Sequence, residues 1–335
     1  MLTERWRSGG RLIIVDETGD RLAPLLVPGT TSSGGLATDE HPSFSPDGRW
    51  IVFASTRDRG DPRTSIWIAR AQPESLPVRL TEAAAADVDP TWTPAGDAIV
   101  FASDREGSMD LYRLPVELRG GQPRASHPER LTDAPTHELA PSLVGERLVL
   151  QVVDATGGHS RIVERAADGA LVALTEGPAD GSPALAPGGM VLAYAATRLR
   201  VDGGRDLDVI VVDGEGRERP GVALAGSDEG SPAWSADGRW LFATSIVRDA
   251  DGAPLLPAVV HFDTWGRPDE LRMLRDVAGA APRLGPAIAP GDLDQTALLR
   301  NPDHATALRL ALQELADATA AAAERRQKRD GSLAP

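Results

Sequence analysis

Cysteine is absent from this 335-residue chain. That excludes disulfides, thiolate nucleophiles and cysteine-ligated zinc. It suits the cytoplasm and a bacterial periplasm equally. Lysine is almost absent, since Lys328 is the only one. No glycine-rich run precedes it, so a phosphate-cradling Gly-Lys loop is excluded. The Gly-x-Ser-x-Gly elbow of serine hydrolases is missing. No run of about 18 apolar residues occurs, so no transmembrane helix is expected. Aromatic residues make up only 4 % of the chain, which is sparse for a sugar-binding surface. Residues 1–10 are polar and charged around Trp6 and do not read as a signal peptide. The expected location is therefore the cytoplasm, or the periplasm and envelope if a leader has been removed.

Turn-formers are plentiful, with 34 Gly and 27 Pro, and point to many short elements rather than long helices. Acidic residues outnumber basic ones by 49 to 35. The net charge of −14 repels phosphate backbones. Nucleic acid is thus an unfavourable partner, and cations or basic protein patches are favoured.

One unit recurs along the chain. A short segment reaches a Pro, an apolar residue follows two positions later, then a tight turn, then an apolar strand. The clearest copy runs from Pro42 through Phe44, Pro46-Asp47-Gly48 and Trp50 to Arg57. Further copies begin at Pro90, Pro141, Pro183, Pro232 and, more weakly, Pro286. Their spacings are 48, 51, 42, 49 and 54 residues. Strand-built repeats of this length are propeller blades. The turn gives two antiparallel strands, because Gly tolerates positive φ and Pro pre-sets its own. Third strands follow, such as Ser65–Ala69 and Asp110–Leu114, and fourth strands, such as Val78–Thr81. The expected fold class is therefore all-β, a six-bladed β-propeller over residues 11–301. Strands from both termini close it: Arg11–Asp16 and Arg21–Val27 complete the blade begun by the sixth copy, with Thr296–Arg300 as a further strand. Residues 1–10 are expected as an N-terminal tail. Residues 302–327 read as a C-terminal α-helix capped by Asp303, and 328–335 as a disordered tail.

Phe44-Ser45-Pro46-Asp47-Gly48 and the later Phe53-Ala54-Ser55-x-Arg57, echoed at Phe101-Ala102-Ser103-x-Arg105, closely resemble the PD40, WD40-like repeats of TolB-like propellers. The resemblance covers about Arg11 to Arg300. It implies a non-catalytic protein-interaction scaffold, usually periplasmic, that binds a partner at the mouth of its channel. Complete TolB proteins also carry an N-terminal α/β domain, for which the residues ahead of Asp39 are too few. Prolyl-oligopeptidase-like enzymes share the repeat, but their hydrolase domain has no counterpart here.

The residue three before each repeat Pro is nearly always acidic: Asp39, Asp87, Glu138, Asp180 and Glu229, with Arg283 in the sixth copy. This position starts the innermost strand, so its residues converge on the central channel. Two readings follow. The five carboxylates form an acidic ring for a divalent cation such as Ca²⁺ or for a basic partner, or each fixes its own loop. Asp89, Asp228, His41 and His137 lie near the same mouth and join Arg283 as candidate partner contacts. The competing function is a propeller enzyme acting on carbohydrate, a glycoside hydrolase or polysaccharide lyase, with ring carboxylates as acid and base. Trp92, Trp234 and Phe44 occupy the apolar slot two after Pro and are expected in the core between blades, as are Trp50 and Trp240.

Overall fold

The computed structural model describes residues 29–58, 63–82, 85–118, 122–199, 205–222 and 227–236, together with the strands named below that lie outside those ranges. Strands β1 (Leu2–Trp6), β2 (Gly9–Val15) and β3 (Leu22–Pro24) precede the first full repeat. The first blade holds β4 (Asp39–Phe44), β5 (Trp50–Ser55), β6 (Ser65–Arg70) and β7 (Val78–Arg79). The second holds β8 (Asp87–Trp92), β9 (Ala98–Ser103) and β10 (Asp110–Glu117), with β11 (Arg124–Ala125) and β12 (Glu129–Arg130) both paired to β10. The third holds β13 (His137–Val144), β14 (Arg147–Val153), β15 (Ser160–Arg165) and β16 (Leu171–Ala173). The fourth holds β17 (Asp180–Leu185), β18 (Leu192–Leu199), β19 (Arg205–Val212) and β20 (Glu218–Val222). Beyond them come β21 (Ser227–Trp234), β22 (Trp240–Arg248), β23 (Pro254–Asp263), β24 (Leu271–Leu274) and β25 (Leu293–Thr296).

The chain is an all-β propeller. Four consecutive blades, β4 to β20, are described with their side-chain packing, where the repeats predicted six. The remaining strands pair along their backbones into two further sheets, β21-β22-β23-β24 and β25-β1-β2-β3. Residues 1–10 correct the expected tail, because they hold β1, whose Trp6 pairs with Gly9 of β2. The expected helix at 302–327 and the tail at 328–335 lie outside the described residues, and among the described residues there is no helix.

Hydrophobic patterning explains how the blades join. Strands β5 and β9 are buried at every position, because each is covered by a neighbouring blade on both faces. Trp50, Val52, Ile66 and Ile68 of the first blade pack on Trp92, Ile99, Phe101 and Tyr112 of the second. Val100, Ala102 and Leu111 of the second meet Leu148, Leu150 and Val163 of the third. Val149 and Ile162 of the third meet Leu185, Leu192, Tyr194 and Ile210 of the fourth. Each fully buried side chain of this size stabilises by about 1.5–3 kcal/mol.

The inner strands share a feature that positions the site. In β4, β8, β13, β17 and β21 the ladder slips between Glu40 and Ser43, Val88 and Thr91, Leu139 and Ser142, Gly181 and Ala184, and Gly230 and Ala233. At each slip the residue before the repeat Pro is left-handed: His41 (φ 55), Asp89 (51), Ala140 (47), Ser182 (49) and Ser231 (48). Proline has no N–H to give the ladder, so a strand can carry it only at an edge or a bulge. The repeated Pro therefore forces a bulge into each of these five strands.

The central cavity as candidate functional site

The five acidic positions stand together at the starts of the inner strands, but they turn into the blades. Asp39, Asp87, Glu138, Asp180 and Glu229 are all buried. Asp39 takes two hydrogen bonds from Arg57 and one from Ser55. Asp87 Oδ1 accepts from Arg105 Nη2 at 3.0 Å, and the same guanidinium lies over the Phe101 and Tyr112 rings. Asp180 Oδ2 accepts the Gly177 N–H at 3.0 Å. Glu138 Oε1 accepts from Thr136 Oγ1. Among the described residues no three His, Asp or Glu side chains gather as a metal site requires. Asp39, Asp87, Glu138 and Asp180 each take a bond from an arginine, a hydroxyl or a backbone N–H group of their surroundings, as the loop-fixing alternative expects. Arg283 lies outside the described residues.

What faces the axis is the row two residues later. A cavity of about 530 Å³ lies among the inner strands, lined by the bulge residues His41, Asp89, Ala140, Ser182 and Ser231, their prolines, and the residues leading into the first turns. Phe44 and Trp234 line it too, and Phe44 also packs against the core as expected. Trp234 Nε1 donates to Ala184 O at 2.9 Å and so holds its ring against the fourth blade. Trp92 and Trp50 are buried between blades as expected, and the side chain of Trp240 lies outside the described residues.

A polar relay crosses three inner strands on the cavity wall. His41 Nδ1 lies 2.6 Å from Asp89 Oδ1, with the two side chains 17 % and 13 % exposed. The Asp89 N–H donates to the same nitrogen at 3.2 Å. Asp89 Oδ2 accepts the Ala140 N–H at 3.0 Å. One carboxylate therefore ties the first blade to the third across the second. His137 works elsewhere, its Nδ1 accepting the Met109 N–H at 3.2 Å. Asp228 Oδ1 accepts the Leu207 N–H at 3.1 Å. Neither His137 nor Asp228 lines the cavity.

Among the described residues, the cavity lining holds one carboxylate, Asp89, and not the pair that an acid–base enzyme needs. Glu138 is pushed up to about 7, first by burial and then by the nearby Asp110, but it is enclosed between blades rather than open to the cavity. Asp208 is also raised, by burial and by Asp206, and likewise stands off the cavity lining. The bulge row was legible only indirectly. A proline in the middle of each of the five inner strands β4, β8, β13, β17 and β21 is the sign that the residue before it leaves the ladder.

The family model for the TolB β-propeller domain (PD40) matches residues 32–238. The Tol-Pal system protein TolB of Francisella tularensis subsp. mediasiatica is 29 % identical over 247 residues, 70 % of this chain and 54 % of that protein. The same protein from F. tularensis subsp. holarctica is also 29 % identical over 247 residues. This chain thus spans about half the length of those relatives. Among solved structures, TolB from Acinetobacter baumannii superimposes with a TM-score of 0.55 at 18 % identity, over 81 % of this chain and 62 % of that one. The putative TolB of Agrobacterium tumefaciens gives 0.53 at 18 % identity, over 70 % and 80 %. At these identities the structural likeness speaks to the fold.

Proposed function

The chain belongs to the TolB β-propeller domain family, and from that premise we propose that it is a non-catalytic interaction scaffold of the bacterial envelope, receiving a protein partner in its central cavity. The carrying observation is the cavity wall itself. Bulge residues from five inner strands surround one concave space, and His41 and Asp89 are the ionisable pair on it. Concave sites with a few placed polar groups among apolar surface are where ligands bind. Because the chain carries −14, a partner segment with basic residues approaches it favourably.

The partner belongs to the envelope, in keeping with the Tol-Pal name of the relatives, and the working location is the periplasm. The propeller has six blades, the last closed by both termini. That count is supported by the pairing of Leu2 with Thr296 and Thr3 with Asp294 between β1 and β25. Closure of this kind removes the exposed edges an open array would carry.

The test is capture of envelope proteins on the immobilised full chain, against an Asp89→Arg variant whose fold is checked by circular dichroism. A protein retained by the wild type and lost with the variant supports the cavity as the docking site. Retention by both removes the cavity from the interface, and measurable turnover of an oligosaccharide would overturn the scaffold reading.

A further inference from the structure

Asp110 opens β10 in the second blade, and Glu138 stands near the start of β13 in the third. Both side chains are fully buried. The backbone brings them together: Glu138 N–H donates to Met109 O at 2.7 Å, and Met109 N–H donates to His137 Nδ1 at 3.2 Å. The two carboxyl groups are thereby neighbours, and Asp110 acts on Glu138 both through its charge and as a side-chain partner. One oxygen of each is satisfied. Asp110 Oδ2 accepts from Arg130 Nη2 at 2.9 Å and from Ser108 Oγ at 3.2 Å, and Glu138 Oε1 accepts from Thr136 Oγ1. The remaining oxygens, Asp110 Oδ1 and Glu138 Oε2, are buried and meet no donor.

Two ionised carboxylates do not rest in this arrangement. Each orphaned oxygen has lost its water, and the like charges repel. The surrounding charges do not cancel them. Arg130, from β12, is the cation bonded to Asp110, and it is also drawn by Asp133. Arg105, from the β9–β10 turn, is bonded to Asp87 and lies over the Tyr112 ring. His137, from β13 itself, spends Nδ1 on the Met109 N–H. Thr132 and Thr136 are neutral and contribute hydroxyls only. One cation faces two carboxyl groups, and one negative charge is left over.

We propose that Asp110 and Glu138 share a single proton between Glu138 Oε2 and Asp110 Oδ1, forming a pH-dependent clasp between the second and third blades. With the proton in place, Oε2–H donates to Oδ1 and both orphaned oxygens are satisfied at once. Without it, the same contact becomes repulsion inside the seam. The seam bears on the cavity, because Ala140, two residues after Glu138, gives its N–H to Asp89. The upward shift of Glu138 to about 7 fixes the sign. A carboxyl raised above its ordinary value of 4.5 contributes stability that is fully present below about 4.5 and lost as pH rises through about 7. The protons of such a pair come off in steps that belong to both groups.

Carboxyl carbon NMR of the wild-type chain reads the pair directly. Glu138 is expected to titrate near neutrality, and titration in the ordinary glutamate range would overturn the proposal. Thermal unfolding gives a second reading. Between about pH 5 and about pH 8, the wild-type midpoint is expected to fall by several degrees. Glu138→Gln, whose amide donates to Asp110 at any pH, is expected to lose that fall. Parallel pH profiles for the two proteins would sink the clasp. So would a Ca²⁺-dependent rise in the midpoint at about pH 8 that Glu138→Gln abolishes, since a cation would then occupy the place of the proton.

Discussion

Arg57 grips Asp39 with both arms of its guanidinium: Nε donates to Oδ1 at 2.9 Å and Nη2 to Oδ2 at 2.6 Å. Ser55 Oγ adds a further bond to Oδ1 at 2.6 Å. Gly29 makes the grip possible, because a Cβ there would collide with the Arg57 guanidinium. The second blade repeats the arrangement in looser form, with Arg105 on both Asp87 and Ser103. The Asp…Ser-x-Arg pattern is therefore a latch. It ties the start of β4 to the far end of β5, and the start of β8 to the far end of β9.

This latch carries the first prediction. Both charged side chains are at most 7 % exposed, so removing one leaves the other buried without its partner. Asp39→Ala is expected to cost about 3–5 kcal/mol. Combining it with Arg57→Met is expected to cost less than the single change, since no buried charge is then stranded. Arg57→Lys falls between, because an ammonium cannot reproduce the fork. Urea denaturation of the three variants checks the order, and a double variant as unstable as the sum of its parts would refute it.

The bulges carry the second. Ala140 sits at φ 47, a left-handed conformation that costs a residue with a Cβ about 1–2 kcal/mol. Ala140→Gly relieves that strain but gives the unfolded chain more freedom, worth about 0.4–1 kcal/mol the other way. Its net effect is expected to stay within about 1 kcal/mol of zero. Ala140→Val places a branched side chain in the same conformation and is expected to destabilise by more than about 1 kcal/mol. Equal tolerance of Gly and Val in urea denaturation would show that the bulge relaxes once its residue changes.

The propeller was readable because Pro, the apolar slot, the Asp-Gly turn and the following strand recur together, and each has a local cause. Asp47 shows this well, since its position before Gly48 is dictated by the turn alone. The direction of the ring carboxylates was not readable. Period two along a strand would place Asp39 and His41 on the same face. The bulge at His41 breaks that period, and Asp39 turns to Arg57 while His41 meets the cavity. Residues 1–10 were misread for a different reason. A strand completed by β25, nearly the whole chain away, leaves no local repeat to recognise.

Acid stability carries the third prediction. Asp47 is held down at about 2, first by the Ser45 hydroxyl and then by the Arg49 N–H. A carboxyl lowered below its ordinary 3.8 contributes stability that is present above about 3.8 and lost as pH falls through about 2. Asp47→Ala removes both the turn bonds and this acid-sensitive portion. The side chain is 41 % exposed, so solvent screens the contribution to below about 1 kcal/mol. The variant is expected to be slightly less stable than the wild type near neutrality, and that deficit is expected to shrink on acidification toward about pH 2. A deficit that stays constant down to that pH would mean that the turn does not depend on the charge.

Asp89 carries the fourth, because one carboxylate reaches two other blades. Its Oδ1 holds His41 at 2.6 Å and its Oδ2 holds the Ala140 N–H at 3.0 Å. Asp89→Ala strands that partly buried N–H and is expected to cost about 1–3 kcal/mol. Asp89→Asn keeps an acceptor for Ala140 but gives up the charge beside His41 Nδ1. It is expected to cost less than the alanine variant while changing the tautomer balance of the His41 ring, which nitrogen NMR reads directly. If the asparagine variant keeps the wild-type tautomer, His41 is oriented by the backbone and not by the Asp89 charge. The cavity would then present the same donor and acceptor pattern with or without that carboxylate, and its selectivity would have to come from the bulges themselves.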